Sequence, residues 1–278
     1  MSSVLGKSLA IIELLVNHPA GLTVSAIASE IDQPASGVHR TLQELARLGY
    51  VRQAQAQGDY ALTIKLPAMG VGFLGRAGIT DVAQPVLDEL AAHSGELIRL
   101  SVIDGDRLTW VAVAQGATRG LRYDPGQEQG VVVHLASSAG GKAWLSSMSD
   151  EEALSLVSGQ GLLRQAEGTG PNAPRSLTLL LEQLAEARAL GYATAVDSYI
   201  AGMAAMAVPV RYQGHGQVLG CLSIAGPAVR MTAERMAVLA PRLQAAAIEL
   251  GEAASGSQYF QAVVKAVEPA RGMERKTA

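Results

Sequence analysis

Apolar positions recur every three or four residues in several short stretches of the chain, and the first three such stretches crowd into residues 8–48. Between Ser8 and Asn17, Leu9, Ile12, Leu15 and Val16 fall on one predicted helix face, and His18, Pro19 and Gly21 end the run. Thr23 then stands as the cap of a short helix through Ile31. A third helix is predicted with Pro34 in its first turn, where no backbone donor is needed, and with Gly49 past its end as a left-handed cap. Val38, Leu42, Leu45 and Leu48 line one side of that helix, while Ser36, Arg40, Gln43 and Arg47 line the other. After Gly49 the residues through Thr63 predict two strands about a turn near Gly58 and Asp59. Three helices and a hairpin in this order make a winged helix-turn-helix. Its outer face offers hydroxyl, guanidinium and amide groups, the chemistry that phosphate contact and base-edge reading require. The candidate DNA contacts are Thr23, Ser36, His39, Arg40, Gln43, Arg47 and Arg52.

The pattern changes after residue 80. A helix is predicted from Ala83 to His93, then strands 97–103 and 107–113 about a hairpin turn at Asp104, Gly105 and Asp106. Val131–Leu135 predicts a further strand, followed by helices at 141–148, at 150–157 behind a capping box of Ser149 and Glu152, and at 177–190, ending on Gly191. Strands near 192–198, 203–210 and 217–225 follow, with a closing helix after Thr232. Hairpin-linked strands flanked by helices indicate an antiparallel sheet, so the fold class is α+β. Between the two patterns, residues 66–78 place four glycines among apolar residues, a segment expected to be helical against a partner and pliable otherwise, with Met69, Phe73 and Leu74 as contacts. The expected divisions are 1–65, 66–80, 81–254 and a polar tail 255–278.

Charge gives no global signal: the net charge is −3, with a pI near 6.0. Through residue 66, Lys7, Arg40, Arg47, Arg52 and Lys65 are matched by Glu13, Glu30, Asp32, Glu44 and Asp59, so a monomer is expected to bind DNA weakly. A dimer doubles the phosphate contacts and reads a palindrome. The lone Cys221 excludes an internal disulfide and fits a reducing compartment. No apolar run approaches the roughly 18 residues of a membrane span, so no membrane partner is expected and a cytoplasmic location is.

Several motifs together resemble the IclR-type transcriptional regulators, from Leu5 to about Gly251. They are SerGlyValHisArgThrLeuGlnGluLeu at 36–45, GlyTyrVal at 49–51, TyrAlaLeuThr at 60–63, AlaGlyGlyLysAla at 139–143, ArgAlaLeuGlyTyrAla at 188–193, GlyMetAlaAlaMetAlaValProVal at 202–210 and LeuSerIleAlaGlyPro at 222–227. The resemblance implies a linker helix at 66–80 and a GAF-like, or profilin-like, effector domain. It also implies an effector pocket walled by Ala139, Gly140, Ala195, Met203, Ala205, Leu222, Ser223 and Ala225. Gly37, Ser198, Ala205 and Ala225 depart from the usual pattern, the last three toward a less polar pocket. Independently, SerSerAlaGlyGlyLys runs into a helix start whose free amides favour an anion even without a nearby Arg. The expected effector is a small organic acid, aromatic or medium-chain, and the expected assembly a homodimer or dimer of dimers.

An enzyme fused to the helix-turn-helix is the alternative. GlyGlyLys lacks the spacing of a phosphate loop, no Gly-x-Ser-x-Gly elbow accompanies Ser137, Ser138 and His134, and the five His are scattered without metal-ligand spacing. Neither catalytic residues nor a cofactor or metal are therefore expected.

Overall fold

The computed structural model describes residues 3–54, 58–123, 128–161 and 169–265. The tip of the predicted wing and the last part of the predicted tail lie outside the described residues. The chain divides into two compact units, Met1–Arg76 and Ala77–Ala278. The break therefore falls inside the segment expected to link them.

The first unit contains α1 (Val4–Val16), α2 (Val24–Glu30), α3 (Ala35–Arg47), the antiparallel pair β1 (Val51–Gln53) and β2 (Tyr60–Leu62), and all but the last residue of α4 (Lys65–Ala77). Its core joins Ile11 and Leu15 of α1 to Ile27, Val38, Leu42 and Leu45, closed by Val51 and Tyr60 of the hairpin. Three expectations fail here. Leu9 and Val16 are about half exposed, and the buried face of α1 is the one through Ile11 and Leu15. Apolar residues surround most of this helix, so spacing alone selects no face. Leu48 is likewise 43% exposed, because the helix ends before it and the chain turns away. The turn between α2 and α3 places Asp32 in the left-handed region at φ 48°, a conformation that Asp tolerates better than most side chains. Pro34 caps α3 from outside instead of opening its first turn. At the other end, Gly49 at φ 79° lets the Tyr50 N–H reach the Leu45 carbonyl at 2.9 Å.

The second unit is a five-stranded antiparallel sheet in the order β4-β3-β7-β6-β5, made of β3 (Leu97–Asp104), β4 (Arg107–Gln115), β5 (Ala193–Val196), β6 (Met203–Arg211) and β7 (Val218–Pro227). One face packs on α5 (Thr80–Ser94) and α9 (Ala233–Ala253) through Leu87, Leu90, Leu239 and Leu243. The other packs on α6 (Ala139–Leu145), α7 (Asp150–Gln160) and α8 (Leu177–Leu190). The capping box of Ser149 and Glu152 and the left-handed Gly191 bound α7 and α8 as their sequence predicts.

The strand expected at 131–135 is absent. Only the bridge between Thr109 and Val132 forms, because the segment lies along the outer edge of β4 and then turns down so that Val133 and Leu135 are buried. Within the segment 255–278, the stretch TyrPheGlnAlaValValLysAlaVal was the part of the polar tail expected to extend a helix. Residues 258–265 are helical, Phe260 and Val264 are buried, and the Ser257 hydroxyl donates to the Ala77 carbonyl at 2.8 Å. Among the described residues, no helix is long and apolar enough to cross a membrane.

Candidate functional site

In the first unit, α3 turns Val38, Leu42 and Leu45 inward, which forces Ser36, His39, Arg40, Gln43 and Arg47 outward, and all five are exposed. These side chains share one helix. Arg47 differs from the others because Glu44 holds it in a bidentate pair, at 2.9 Å to Nε and 2.6 Å to Nη2. That pairing lowers the Glu44 pKa and raises that of Arg47. Arg40 has no such acidic partner among the described residues. Arg52 lies exposed on β1. Thr23 is the cap of α2, its hydroxyl oxygen accepting from the Ala26 N–H at 3.1 Å and lying 3.0 Å from the Ser25 hydroxyl. Lys65, at the start of α4, donates to the Leu48 carbonyl at 2.7 Å and sits 4.4 Å from the centre of the Tyr50 ring. It fastens the linker helix to the end of α3, a role the sequence pattern did not suggest.

In the second unit, a cavity opens between the sheet and the start of α6. Six of the eight expected wall residues meet there: Ala139, Gly140, Ala195, Met203, Ala205 and Ser223. Leu222 does not. Successive residues of a strand face opposite sides, and Leu222 packs in the core against α5 and α9. Ala225 has the right parity but is fully buried and outside the cavity lining.

The same cavity is lined by Arg99, Trp110, Ser138, Tyr199 and Ile200, none of them expected. Arg99 is 4% exposed and lies 4.6 Å over the Trp110 ring. It donates through Nη1 to Glu128, whose other carboxylate oxygen accepts from the Tyr123 hydroxyl at 2.7 Å. Burial first, and then the Glu128 carboxylate, push the Tyr123 pKa up. The Arg99 Nε has no hydrogen-bond partner among the described residues. Tyr199 meets Trp110 edge-on at 5.4 Å, on a loop shaped by Asp197 at φ 48° and by its carboxylate accepting from the Gly202 N–H. The pocket is therefore more polar than its Ala positions imply, and its free space is only about 20 Å³. A ligand with a ring requires the lining to shift. An Arg inside the run Leu97–Ile103, apolar but for it and Ser101, was the available signal, since a buried charge demands a partner.

The two glycines at the start of α6 serve different ends. A side chain at Gly141 would strike the Leu135 backbone, so that glycine is a packing necessity, whereas one at Gly140 would meet only ordinary contacts. His134 and Ser137 do form a hydrogen bond at 2.8 Å, but Ser137 is fully buried and the pair staples the turn before α6. Burial lowers the His134 pKa. No group of three metal-ligating side chains occurs among the described residues.

The helix carrying five outward polar side chains and the cavity on the antiparallel sheet lie in two segments that each match a known family. Residues 4–55 match the family model described as IclR helix-turn-helix domain, and residues 71–251 match the bacterial transcriptional regulator IclR C-terminal model. The chain belongs to the IclR family. Its relatives include the acetate operon repressor of Salmonella typhimurium, 28% identical over 254 residues that cover 91% of this chain and 90% of that protein. The HTH-type transcriptional repressor AllR of Escherichia coli K12 is 26% identical over 231 residues, 83% of this chain and 82% of that one. Among solved structures, an IclR transcriptional regulator from Alicyclobacillus acidocaldarius superposes with a TM-score of 0.75 at 21% identity, covering 90% of this chain and 98% of that chain. An IclR homolog from Microbacterium hydrocarbonoxydans, complexed with 4-hydroxybenzoate, gives 0.72 at 20% identity, covering 92% and 100%. Identities at that level speak for the fold alone. This IclR-family chain is a DNA-binding transcriptional regulator and not an enzyme, as its helix-turn-helix and the named repressors among its relatives establish.

Proposed function

We propose that this regulator senses an aromatic or medium-chain carboxylic acid in the pocket of its second unit and answers by changing its affinity for a palindromic operator. The observation that carries this reading is Arg99: a buried guanidinium on an indole face, with an unused Nε donor, in the pocket. A carboxylate on Arg99 with a ring against Trp110 satisfies both groups. The small side chains Ala139, Gly140, Ala195 and Ala205 shape the space for that ring, with Met203 as an adaptable wall and Ser223 as a further polar contact. Binding of 4-hydroxybenzoate by the Microbacterium homolog supports this ligand class. DNA is read by Ser36, His39, Arg40 and Gln43, with Thr23, Arg47 and Arg52 on the flanking backbone. The protein acts in the cytoplasm as a homodimer or a dimer of dimers, because the five basic residues before position 66 are balanced by five acidic ones and one reading head binds weakly. Effector and operator are then coupled reciprocally by about 1 to 3 kcal/mol.

Calorimetric titration with 4-hydroxybenzoate, benzoate and the uncharged 4-hydroxybenzamide tests the ligand class. The acids are expected to bind and the amide to bind at least roughly tenfold more weakly, with Arg99→Met abolishing the difference. Equal binding of acid and amide overturns the assignment of Arg99. Glu128 already occupies part of Arg99, so Glu128→Gln is expected to tighten acid binding by roughly tenfold.

A further inference from the structure

Consecutive residues of β5 line different cavities. Ala195 faces the pocket described above, whereas Thr194 and Val196 line a second one, of about 210 Å³, together with Lys142 of α6, Gln183 and Glu186 of α8, and Ser198. This second cavity has ten times the free space of the first and is polar where the first is aromatic.

Its chemistry is unfinished. Lys142 is 3% exposed, and among the described residues its ammonium makes one hydrogen bond, to the Thr194 carbonyl at 3.0 Å. An ammonium carries three donors, so two are left open. No carboxylate among the described residues lies within ion-pair distance of it. Glu186 acts on it only from farther off, and burial draws the Lys142 pKa down to about 8. The Ser198 hydroxyl, on a residue 2% exposed, and the Gln183 Oε1 both lack a hydrogen-bond partner among the described residues. Buried polar groups left unpaired in this way are uncommon in native proteins. Here two of them, from α8 and the turn after β5, border one open space with the partly satisfied ammonium of Lys142 from α6.

We propose that this cavity is a second ligand site, for a short-chain carboxylate that bears a hydroxyl group. The carboxylate accepts from Lys142 and from the Ser198 hydroxyl, and the ligand hydroxyl donates to Gln183 Oε1. With one buried cation, and Glu186 nearby, the site favours a monoanion over a dianion. Tyr192 is its one aromatic wall, beside Asn172, Thr194, Val196 and aliphatic parts of α8, where the first pocket sets Trp110 against Tyr199. The two sites therefore select different acids. This inference stands apart from the reading of the Arg99 pocket and does not require it.

The test is saturation-transfer NMR and calorimetry of the intact protein with lactate, and with acetate as the analogue lacking the hydroxyl. Lactate is expected to bind saturably and more tightly than acetate. Lys142→Met is expected to abolish that binding, and Ser198→Ala to weaken it by roughly tenfold. Ser198→Glu, which brings a carboxylate from the chain itself, is expected to exclude lactate while raising the melting temperature. Arg99→Met is expected to leave lactate binding in place, which separates this site from the first. Absence of saturable lactate binding to the wild type means that water alone fills the cavity and overturns the proposal. Loss of lactate binding in Arg99→Met, with Lys142→Met and Ser198→Ala unaffected, overturns it equally by assigning the ligand to the other pocket.

Discussion

A single buried ammonium sets a measurable pH dependence. Lys142 gives up its proton near pH 8 in the folded chain and near its usual 10.5 when unfolded. Between those values the unfolded state binds more protons, so this group's contribution to stability rises with pH, and its cost is fully present below about 8. That cost is on the order of 3 kcal/mol, before the hydrogen bond to Thr194 offsets part of it. Chemical denaturation should therefore find Lys142→Met more stable than wild type at neutral pH, with the gap narrowing as the pH climbs toward 10.5. A gap independent of pH would show the ammonium to be solvated. Glu186 and Tyr192 face the same cavity, so their Gln and Phe variants serve as controls. Other residue-scale features differ in how visible they are in sequence. Ser36, His39, Arg40 and Gln43 follow from helical period alone. Leu222 shows the limit: a shift of one residue along a strand exchanges pocket for core, and a motif match does not fix that parity. Lys142 was visible as part of a helix start, but its burial depends on contacts from α8 and β5 that lie far along the chain.

At the scale of elements, α3, the proposed reading helix, carries an internal brake. Arg40→Ala should lower operator affinity about tenfold or more in gel-shift titrations without changing ligand binding. Glu44→Gln should do the opposite, because it releases Arg47 from its bidentate pair and removes a negative charge from the DNA-facing helix. It is expected to raise the magnitude of the salt slope of binding by about one as Arg47 reaches a phosphate. An unchanged slope would mean that Arg47 stays with another partner. The two helix ends set by Ser149 with Glu152 and by Gly191 were legible because caps are local chemistry. The segment 131–135 was not legible as non-strand: a run of three Val residues has strand propensity, yet it meets only the edge of β4 and its last residues are drawn into the core below α6.

For the whole molecule, the decisive question is assembly. Both α1 and α4 expose large apolar side chains: Leu5 at 69%, Met69 at 51% and Val71 at 71%. In the homodimer proposed above, a second copy covers such surfaces. Sedimentation velocity is expected to find a dimer or larger, and Met69→Lys with Val71→Lys to shift it toward monomer and to weaken operator binding together. A monomeric wild type that binds its operator at full strength would exclude the paired reading heads. The helix-turn-helix and the antiparallel sheet were legible because both repeat simple periods, whereas the placement of Arg99, Trp110 and Tyr199 around one cavity depends on pairings across more than a hundred residues.

One strand, β5, is the thin partition between an aromatic chamber and a polar one. If both chambers fill, each occupant changes the other's affinity by the same factor, since the linkage is mutual. A promoter under this protein would then weigh two metabolites jointly, and its dose curve for either would slide along the concentration axis as the other accumulates.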